Sequence, residues 1–263
     1  MTSVPVFRVA AERLVGGGDG GARIRLDGPE GRHAALVRRL QPGERVNLTD
    51  GAGRLAECVV RGSDGPVLDL DVLELRSVPP PDPRITVVQA LPKGDRGETA
   101  VETMTEIGVD AIVPWSASRS ITQWRGDRGE KALAKWRSTA AEASKQSRRV
   151  WWPEVAPAAT TAQVARLVGT AGLAAVLHEE AESSLAELTA GQLAAGGPTS
   201  DGASGTTGGI VLIVGPEGGI SPEELRAFTE AGGVTYRMGP TVLRTSTAGT
   251  AAAAVLLARS GRW

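Results

Sequence analysis

Two periodicities divide the chain. In roughly the first seventy-five residues, apolar and polar positions alternate in short runs. These occur at residues 22–26, twice within residues 45–60 (RVNLT and RLAECVV), and at residues 67–75 (VLDLDVLEL). A period of two is that of a strand with one buried face. Asp50-Gly51 between two of the runs is a turn signal, so residues 45–60 read as a hairpin. Several short strands in so small a stretch predict a small β-barrel. From residue 85 onward the alternation stops. Continuous apolar runs appear at residues 85–91, 111–115, 173–177 and 210–214, with helical segments between or after them. Strands apolar on both faces and separated by helices predict a parallel sheet covered on both sides, an α/β domain.

The boundary between the two patterns is SVPPPDPR, residues 77–84, with four prolines in eight residues. Proline fixes φ and removes a backbone donor, which blocks both helix and central strand. The expected organisation is therefore a β-domain at 1–76, a Pro-rich linker at 77–84 and an α/β domain at 85–263. GGGDGG at residues 16–21 reads as a surface hairpin loop, and residues 191–209, rich in Gly, Ser and Thr, read as a mobile loop.

Composition narrows the chemistry. One cysteine, Cys58, permits no intrachain disulfide and no multi-cysteine zinc site, and with only two histidines no metal centre is expected. The longest apolar stretch, residues 251–258, is far shorter than the roughly 20 residues that cross a bilayer. The first residues show no secretory pattern, so a soluble cytoplasmic protein is expected. The 25 arginines and four lysines reflect a compositional bias as much as a function.

Residues 210–224, IVLIVGPEGGISPEE, hold the densest chemistry. A buried strand runs to Val214 and a Gly-Pro-Glu-Gly-Gly turn follows. Ser221 is an N-cap, Pro222 fits the first helical position, Glu224 completes a capping box, and Gly232-Gly233 end the helix. Ligands of open α/β sheets sit at strand carboxyl ends, where glycines let backbone approach closely; the stretch also fits a tight turn with no ligand. It is neither a Walker A loop nor a dinucleotide fingerprint, and Glu217 would repel a polyphosphate. A second glycine-bearing loop follows the run at 234–238: Gly239-Pro240, then LRTSTA, leading into an Ala-rich helix that ends near Arg259. Two such loops can enclose one small molecule. The small residues of the last helix fit core packing or a close interface between two copies.

GPEGGISPEE, then MGPTVLRTSTA and the Ala-rich helix, resembles the SPOUT-class RNA methyltransferases, and among them the RsmE family, which methylates N3 of a uridine in 16S ribosomal RNA. QALPKGDRGETAVETMTEIGVDAIVPWSASRS from Gln89, AAEASKQSRR from Ala140 and HAALVRRLQPGERVNLTDG from His33 extend the resemblance over nearly the whole chain. It implies a SPOUT-type C-terminal domain with a parallel sheet and a trefoil knot that binds S-adenosylmethionine. It also implies a homodimer through the knotted region and a PUA-like β-barrel domain that binds RNA. Knots are exceptions among folds, and no periodicity shows one.

The resemblance places the cofactor among Leu177, His178 and Glu179, then Gly215, Pro216, Glu217, Gly218 and Gly219, then Met238, Gly239, Leu243, Thr245, Ser246, Thr247 and Ala248. Glu217 either contacts the cofactor or orders its loop. His178 either lines the pocket or takes a proton. Where the family motif reads LRTETA this chain has Ser246, so no carboxylate role carries over to that position. Loss of the uracil N3 proton leaves negative charge on the flanking carbonyl oxygens, which a placed cation can stabilise. Arg244 is the first candidate for that catalytic role. Arg119, Arg148 and Arg149 are the alternatives, as groups that bind RNA or orient the base.

A net charge of −1 would seem to argue against an RNA partner, but the charge is uneven. Residues 119–149 hold nine basic and three acidic side chains. There Leu133, Trp136, Ala140, Ala143 and Ser147 form one apolar face at helical spacing, which leaves the cations outward. PKGDR adds Lys93 and Arg96, and a second cluster contains Arg32, Arg38, Arg39 and Arg45. RNA contacts are expected at Arg32, Arg38, Arg39, Lys93, Arg96, Arg119, Lys145, Arg148 and Arg149. Trp124, Trp151 and Trp152 offer rings for base stacking, as does Trp115, although Trp115 and Trp136 also fit the core. The expected partner is 16S ribosomal RNA or the small ribosomal subunit. The alternatives are another RNA target or a non-catalytic ribosome assembly factor.

Overall fold

The computed structural model describes residues 4–14, 22–194 and 208–263. The glycine loop at 16–21 and most of the segment at 191–209 lie outside them. The described residues form two compact units: one runs up to Pro80 and takes in Ser144–Trp152, and the other comprises Pro81–Ala143 and Pro153–Trp263.

The first unit contains strands β1 (Val6–Arg8), β2 (Arg23–Leu26), β3 (Arg45–Thr49), β4 (Arg54–Asp64) and β5 (Val67–Ser77), with helix α1 (Gly28–Arg32) after β2. They form one mixed sheet in the order β1-β3-β4-β5-β2, with β1 parallel to β3 and the other pairs antiparallel. Among the described residues the sheet is a half-barrel with β1 and β2 at its edges, not a closed barrel. Two register shifts in the β4–β5 pair are bulges, which increase local twist. The hairpin between β3 and β4 turns on Asp50, whose Oδ1 accepts the amides of Ala52 (2.7 Å) and Arg54 (3.1 Å). The alternating apolar positions face one core, built on Phe7, Leu26, Val46, Leu48, Ala56, Leu68 and Leu70. Cys58 lies in that core, and burial pushes its thiol up to about 12, so it is inert as a nucleophile.

Ser144–Trp152 seats on this unit through the hairpin. Trp152 N donates to Gly51 O (2.9 Å), Gly53 N to Val150 O (3.3 Å), and the Trp151 indole to Val78 O (3.0 Å). Gly53, at φ +101°, has no room for a side chain, because a Cβ would lie 2.5 Å from Trp151 Cζ2.

The second unit alternates strand and helix: β6 (Ile85–Ala90), α2 (Arg96–Ile107), β7 (Ala111–Trp115), α3 (Gly126–Gln146), β8 (Glu154–Val155), α4 (Thr161–Thr170), β9 (Leu173–Leu177), α5 (Ala190–Ala194), β10 (Ile210–Val214), α6 (Pro222–Glu230), β11 (Val234–Tyr236) and α7 (Thr245–Arg259). The short helix α5 stands where a loop is expected. The six strands form one all-parallel sheet in the order β11-β9-β10-β6-β7-β8. One face carries Ile85, Val87, Leu212 and Val214 into a core with α2 and α7; the other carries Val88, Val211 and Ile213 into a core with α4 and α6. Both faces of the sheet are thus covered, as the unbroken apolar runs predict. Near the chain end, the Arg262 guanidinium grips buried Asp110, whose Oδ2 also accepts the Ile85 amide (2.9 Å). No described helix is long and apolar enough to cross a membrane.

Candidate active site

In a parallel sheet all strands end at the same edge. β11, β9 and β10 are consecutive neighbours, so the residues after Tyr236, Leu177 and Val214 emerge side by side. Past β9, His178 N donates to Tyr236 O (3.0 Å), and its Nδ1 accepts the amide of Glu180 (3.3 Å). This contact engages Nδ1 and leaves Nε2 as the other polar atom of the ring. Leu177 and His178 are half-buried and Glu179 is exposed. Leu185 N and Arg237 O, with Arg237 N and Ser183 O, tie the following loop to the exit of β11.

Past β10 the glycine turn closes on itself, with Gly219 N donating to Pro216 O (2.9 Å) at a Gly219 φ of +73°. Gly215 is required by packing, since a Cβ would lie 2.8 Å from Ile220 Cγ1. Glu217 turns toward the loop after β6: Oε1 accepts the Lys93 amide (3.3 Å) and lies 3.8 Å from the Arg96 guanidinium. These contacts fit the loop-ordering role open to it in the sequence. From the loop after β7, Arg119 donates to Gly218 O (3.2 Å), close enough that a Cβ at Gly218 would sit 3.1 Å from Arg119 Cβ. The turn then enters α6 through the expected capping box: Ser221 Oγ accepts Glu224 N, and Glu224 Oε2 accepts Ser221 N.

Past β11, Met238 is half-buried and Gly239 exposed, and the chain reaches α7 through Leu243 and Arg244, both exposed. The Arg244 carbonyl accepts the amides of Thr247 and Ala248 (both 2.9 Å), but its side chain forms no cap hydrogen bond. The first-turn N–H groups of Thr245 and Ser246 are therefore free of a side-chain cap at the positive end of a 15-residue helix. Thr245 is buried, Ser246 and Ala248 are half-buried, and Thr247 is exposed.

The sites expected from the sequence thus sort into groups. The cofactor candidates occupy three neighbouring strand ends, and Lys93, Arg96 and Arg119 meet the same edge through Glu217 and Gly218. In the first unit Arg32, Arg38, Arg39 and Arg148 are exposed. Lys145 is not available in the same way: it is 14% exposed and ion-paired to Glu30 at 3.0 Å. Arg149 is half-buried, with Nε donating to Trp151 O (2.7 Å).

Of the tryptophans offered for base stacking, the structure withdraws Trp115 alone; Trp124, Trp151 and Trp152 are half-buried. Trp115 and Trp136 are core, and Trp124 packs edge-on against Trp136 at 4.9 Å. Trp151 is pressed on Gly53, while Trp152 has Arg8 4.8 Å from its ring centroid and Gly51 packed against the ring. Two residues at this edge escape sequence reasoning in their full role. Glu224 also accepts Ser118 N (2.7 Å) and Thr161 Oγ1 (3.1 Å). Gln89, the polar residue that interrupts the apolar run of β6, is fully buried next to α7.

Comparison with known proteins adds to this geometry. A model of the RNA methyltransferase domain matches residues 79–257, and a model of the RNA methyltransferase PUA domain matches residues 26–68. The ribosomal RNA small subunit methyltransferase E of Mycobacterium bovis is 45% identical over 249 residues, which is 93% of this chain and 90% of the relative. The protein of that name from Bacillus subtilis is 28% identical over 224 residues, 85% of each chain. The crystal structure of a ribosomal RNA small subunit methyltransferase E from Neisseria gonorrhoeae bound to S-adenosyl methionine superposes with a TM-score of 0.78. It is 25% identical, and the match covers 99% of this chain and 98% of that one. With the domain model spanning most of the sequence and a near-full-length relative at this identity, the chain belongs to the RNA methyltransferase family, with the family's PUA domain ahead of the methyltransferase domain.

Proposed function

We propose that this protein transfers the methyl group of S-adenosylmethionine to N3 of a specific uridine in 16S ribosomal RNA of the small subunit. The observation that carries this reading is the convergence of three loops, two of them glycine-bearing, on one sheet edge beside the uncapped start of α7. Such an edge presents backbone donors and acceptors, the groups that suit an adenosine. The names of the Mycobacterium and Bacillus relatives and the ligand of the Neisseria structure support the substrate and the cofactor.

In this reading the cofactor is held by Leu177, His178 and Glu179, by Gly215 to Gly219, and by Met238, Gly239, Leu243 and Thr245 to Ala248. Bound S-adenosylmethionine supplies an activated methyl group, so the chain's own task is alignment of the uridine and control of charge. Arg244, exposed at the mouth of the site, stabilises the negative charge that spreads to the uracil carbonyl oxygens as the N3 proton leaves. Arg119, Lys93 and Arg96 face RNA from the loops that hold the glycine turn, and Arg32, Arg38, Arg39, Arg148 and Arg149 do so from the first unit. Ser246 offers a hydroxyl and no carboxylate. A trefoil knot at the cofactor loops, a homodimer across it and a cytoplasmic location belong to the same reading.

Mass spectrometry of 16S RNA from a deletion strain tests it. We expect 3-methyluridine to vanish, to return with the wild-type gene, and to stay low with Arg244→Ala, whose product should still bind S-adenosylmethionine in calorimetry. Unchanged 3-methyluridine in the deletion strain would reject the assignment. A protein that binds no S-adenosylmethionine would leave only the assembly-factor role.

A further inference from the structure

On β6 the alternating side chains of Ile85 and Val87, and of Leu91 beyond the strand, enter the core shared with α2 and α7. Gln89 holds the same face between Val87 and Leu91, and it is fully buried. Its amide nitrogen donates to two carbonyls, Ala90 O at 3.1 Å and Thr245 O at 3.4 Å. Ala90 ends β6 and Thr245 begins α7, so one side chain joins the carboxyl edge of the sheet to the first turn of the last helix. Its other polar atom, Oε1, has no hydrogen-bond donor among the described residues.

A buried acceptor left unmet is a net cost to folding, and an apolar side chain of the same shape would avoid it. Such groups in a native core call for a reason, and a functional edge is where that reason is commonly found. Here the neighbourhood is built around the amide. Gly249, one turn into α7, leaves the helix close to the sheet: a Cβ there would lie 3.3 Å from Gln89 Oε1, 3.0 Å from Met104 Sδ and 3.4 Å from Val214 Cγ2. At the next residue the hydroxyls of Thr250 and Thr103 meet at 2.7 Å and tie α7 to α2.

We propose that Gln89 is a positioning residue whose buried amide sets the first turn of α7, and through it Arg244 and the backbone of Thr245 to Ala248. The consequence for methyl transfer rests on the function proposed above; the tether itself does not. A misplaced first turn would move the uncapped amides and Arg244 together, and displacements of about 1 Å cost catalysis about a hundredfold. Gln89 thus acts through α7 and not by touching substrate.

Gln89→Met, nearly isosteric and apolar, tests this in the full chain, with Gln89→Leu as the second variant in case one packs poorly. Three readouts are taken: melting temperature, amide hydrogen exchange of ligand-free protein at Thr247, Ala248 and Gly249, and kcat against KM for unmethylated small-subunit RNA. We expect the melting temperature to hold or rise, exchange at those amides to quicken by about tenfold, and kcat to fall by about tenfold or more with a smaller change in KM. A lower melting temperature with unchanged exchange in that turn would make Gln89 a plain core residue and overturn the inference. Unchanged kcat in a variant beside an active wild type would overturn it as well. Faster exchange in the variant, with a wild type that transfers no methyl group, would support the tether and overturn the methyltransferase reading.

Discussion

The carboxylate of Glu224 gathers three donors at a position that is 4% exposed. Oε2 accepts Ser221 N (3.1 Å) within the capping box, and Oε1 accepts Ser118 N (2.7 Å) and Thr161 Oγ1 (3.1 Å), the latter hydroxyl in turn receiving the Trp115 indole N–H at 3.2 Å. A buried acidic group persists only where its oxygens are met in this way. Replacing one oxygen by an amide NH2 sets donor against donor on one side of the group. Glu224→Gln is therefore expected to lose about 1–3 kcal/mol. In a protein of this size that lowers the melting temperature by roughly 2–4 °C for each kcal/mol, readable by calorimetry. An unchanged melting temperature would show that the Ser118 and Thr161 contacts carry no weight. Glu223, one residue earlier and on the surface, has its carboxyl held below the usual range, first by a hydrogen bond it accepts from its own backbone N–H and then by one from the Ser221 side chain. Both acids thus serve the start of α6, and Glu224 also hydrogen-bonds to Ser118 and Thr161 outside it.

Elements whose two faces are both buried were legible from hydrophobicity alone. β7, β9 and β10 occupy the residues that their apolar runs mark, and α6 starts and stops at the Ser221 cap and the Gly232-Gly233 pair. The candidate site was legible to the same depth, as turns of glycine after strands. Which way each side chain faces was not legible, because that depends on partners far away in the chain. Glu217 turns to Lys93 and Arg96, Lys145 to Glu30, and Gln89 to Thr245. The seat of Ser144–Trp152 on the first unit is of this kind. It rests on a glycine at φ +101° and an indole about a hundred residues later, and no period encodes that match. Gly53→Ala should show it. The new methyl group would enter at 2.5 Å from Trp151 Cζ2, on a backbone that side chains rarely adopt. We expect a destabilisation of about 1–3 kcal/mol, with Trp151 fluorescence shifted toward that of an exposed indole. Wild-type stability and fluorescence would mean that the hairpin gives way at no cost.

For the whole molecule, the charge balance of 29 basic against 30 acidic residues hides a division of labour among the cations. Some are spent inside the protein: Arg262 on Asp110 and Lys145 on Glu30. Others, including Arg32, Arg38, Arg39, Arg128, Lys131 and Arg148, face solvent. Only the second kind can displace counterions from a phosphate backbone, and each phosphate neutralised steepens the salt dependence of binding by a fixed increment. That increment is about 0.7 per contact on single strands and about 0.9 on duplexes, in log affinity against log salt. Affinity for 16S RNA measured across a salt series therefore separates two neighbours in sequence. Arg148→Ala is expected to flatten the slope by about one contact and to leave the melting temperature nearly unchanged, since surface substitutions of this kind stay within about 0.5 kcal/mol. Lys145→Met should do the reverse, lowering the melting temperature because Glu30 loses its cation while the slope holds. Equal slopes for Arg148→Ala and wild type would remove Arg148 from the RNA surface. A flattened slope for Lys145→Met would mean that Lys145 leaves Glu30 for the RNA, and the internal pair would then be a store of charge released on binding.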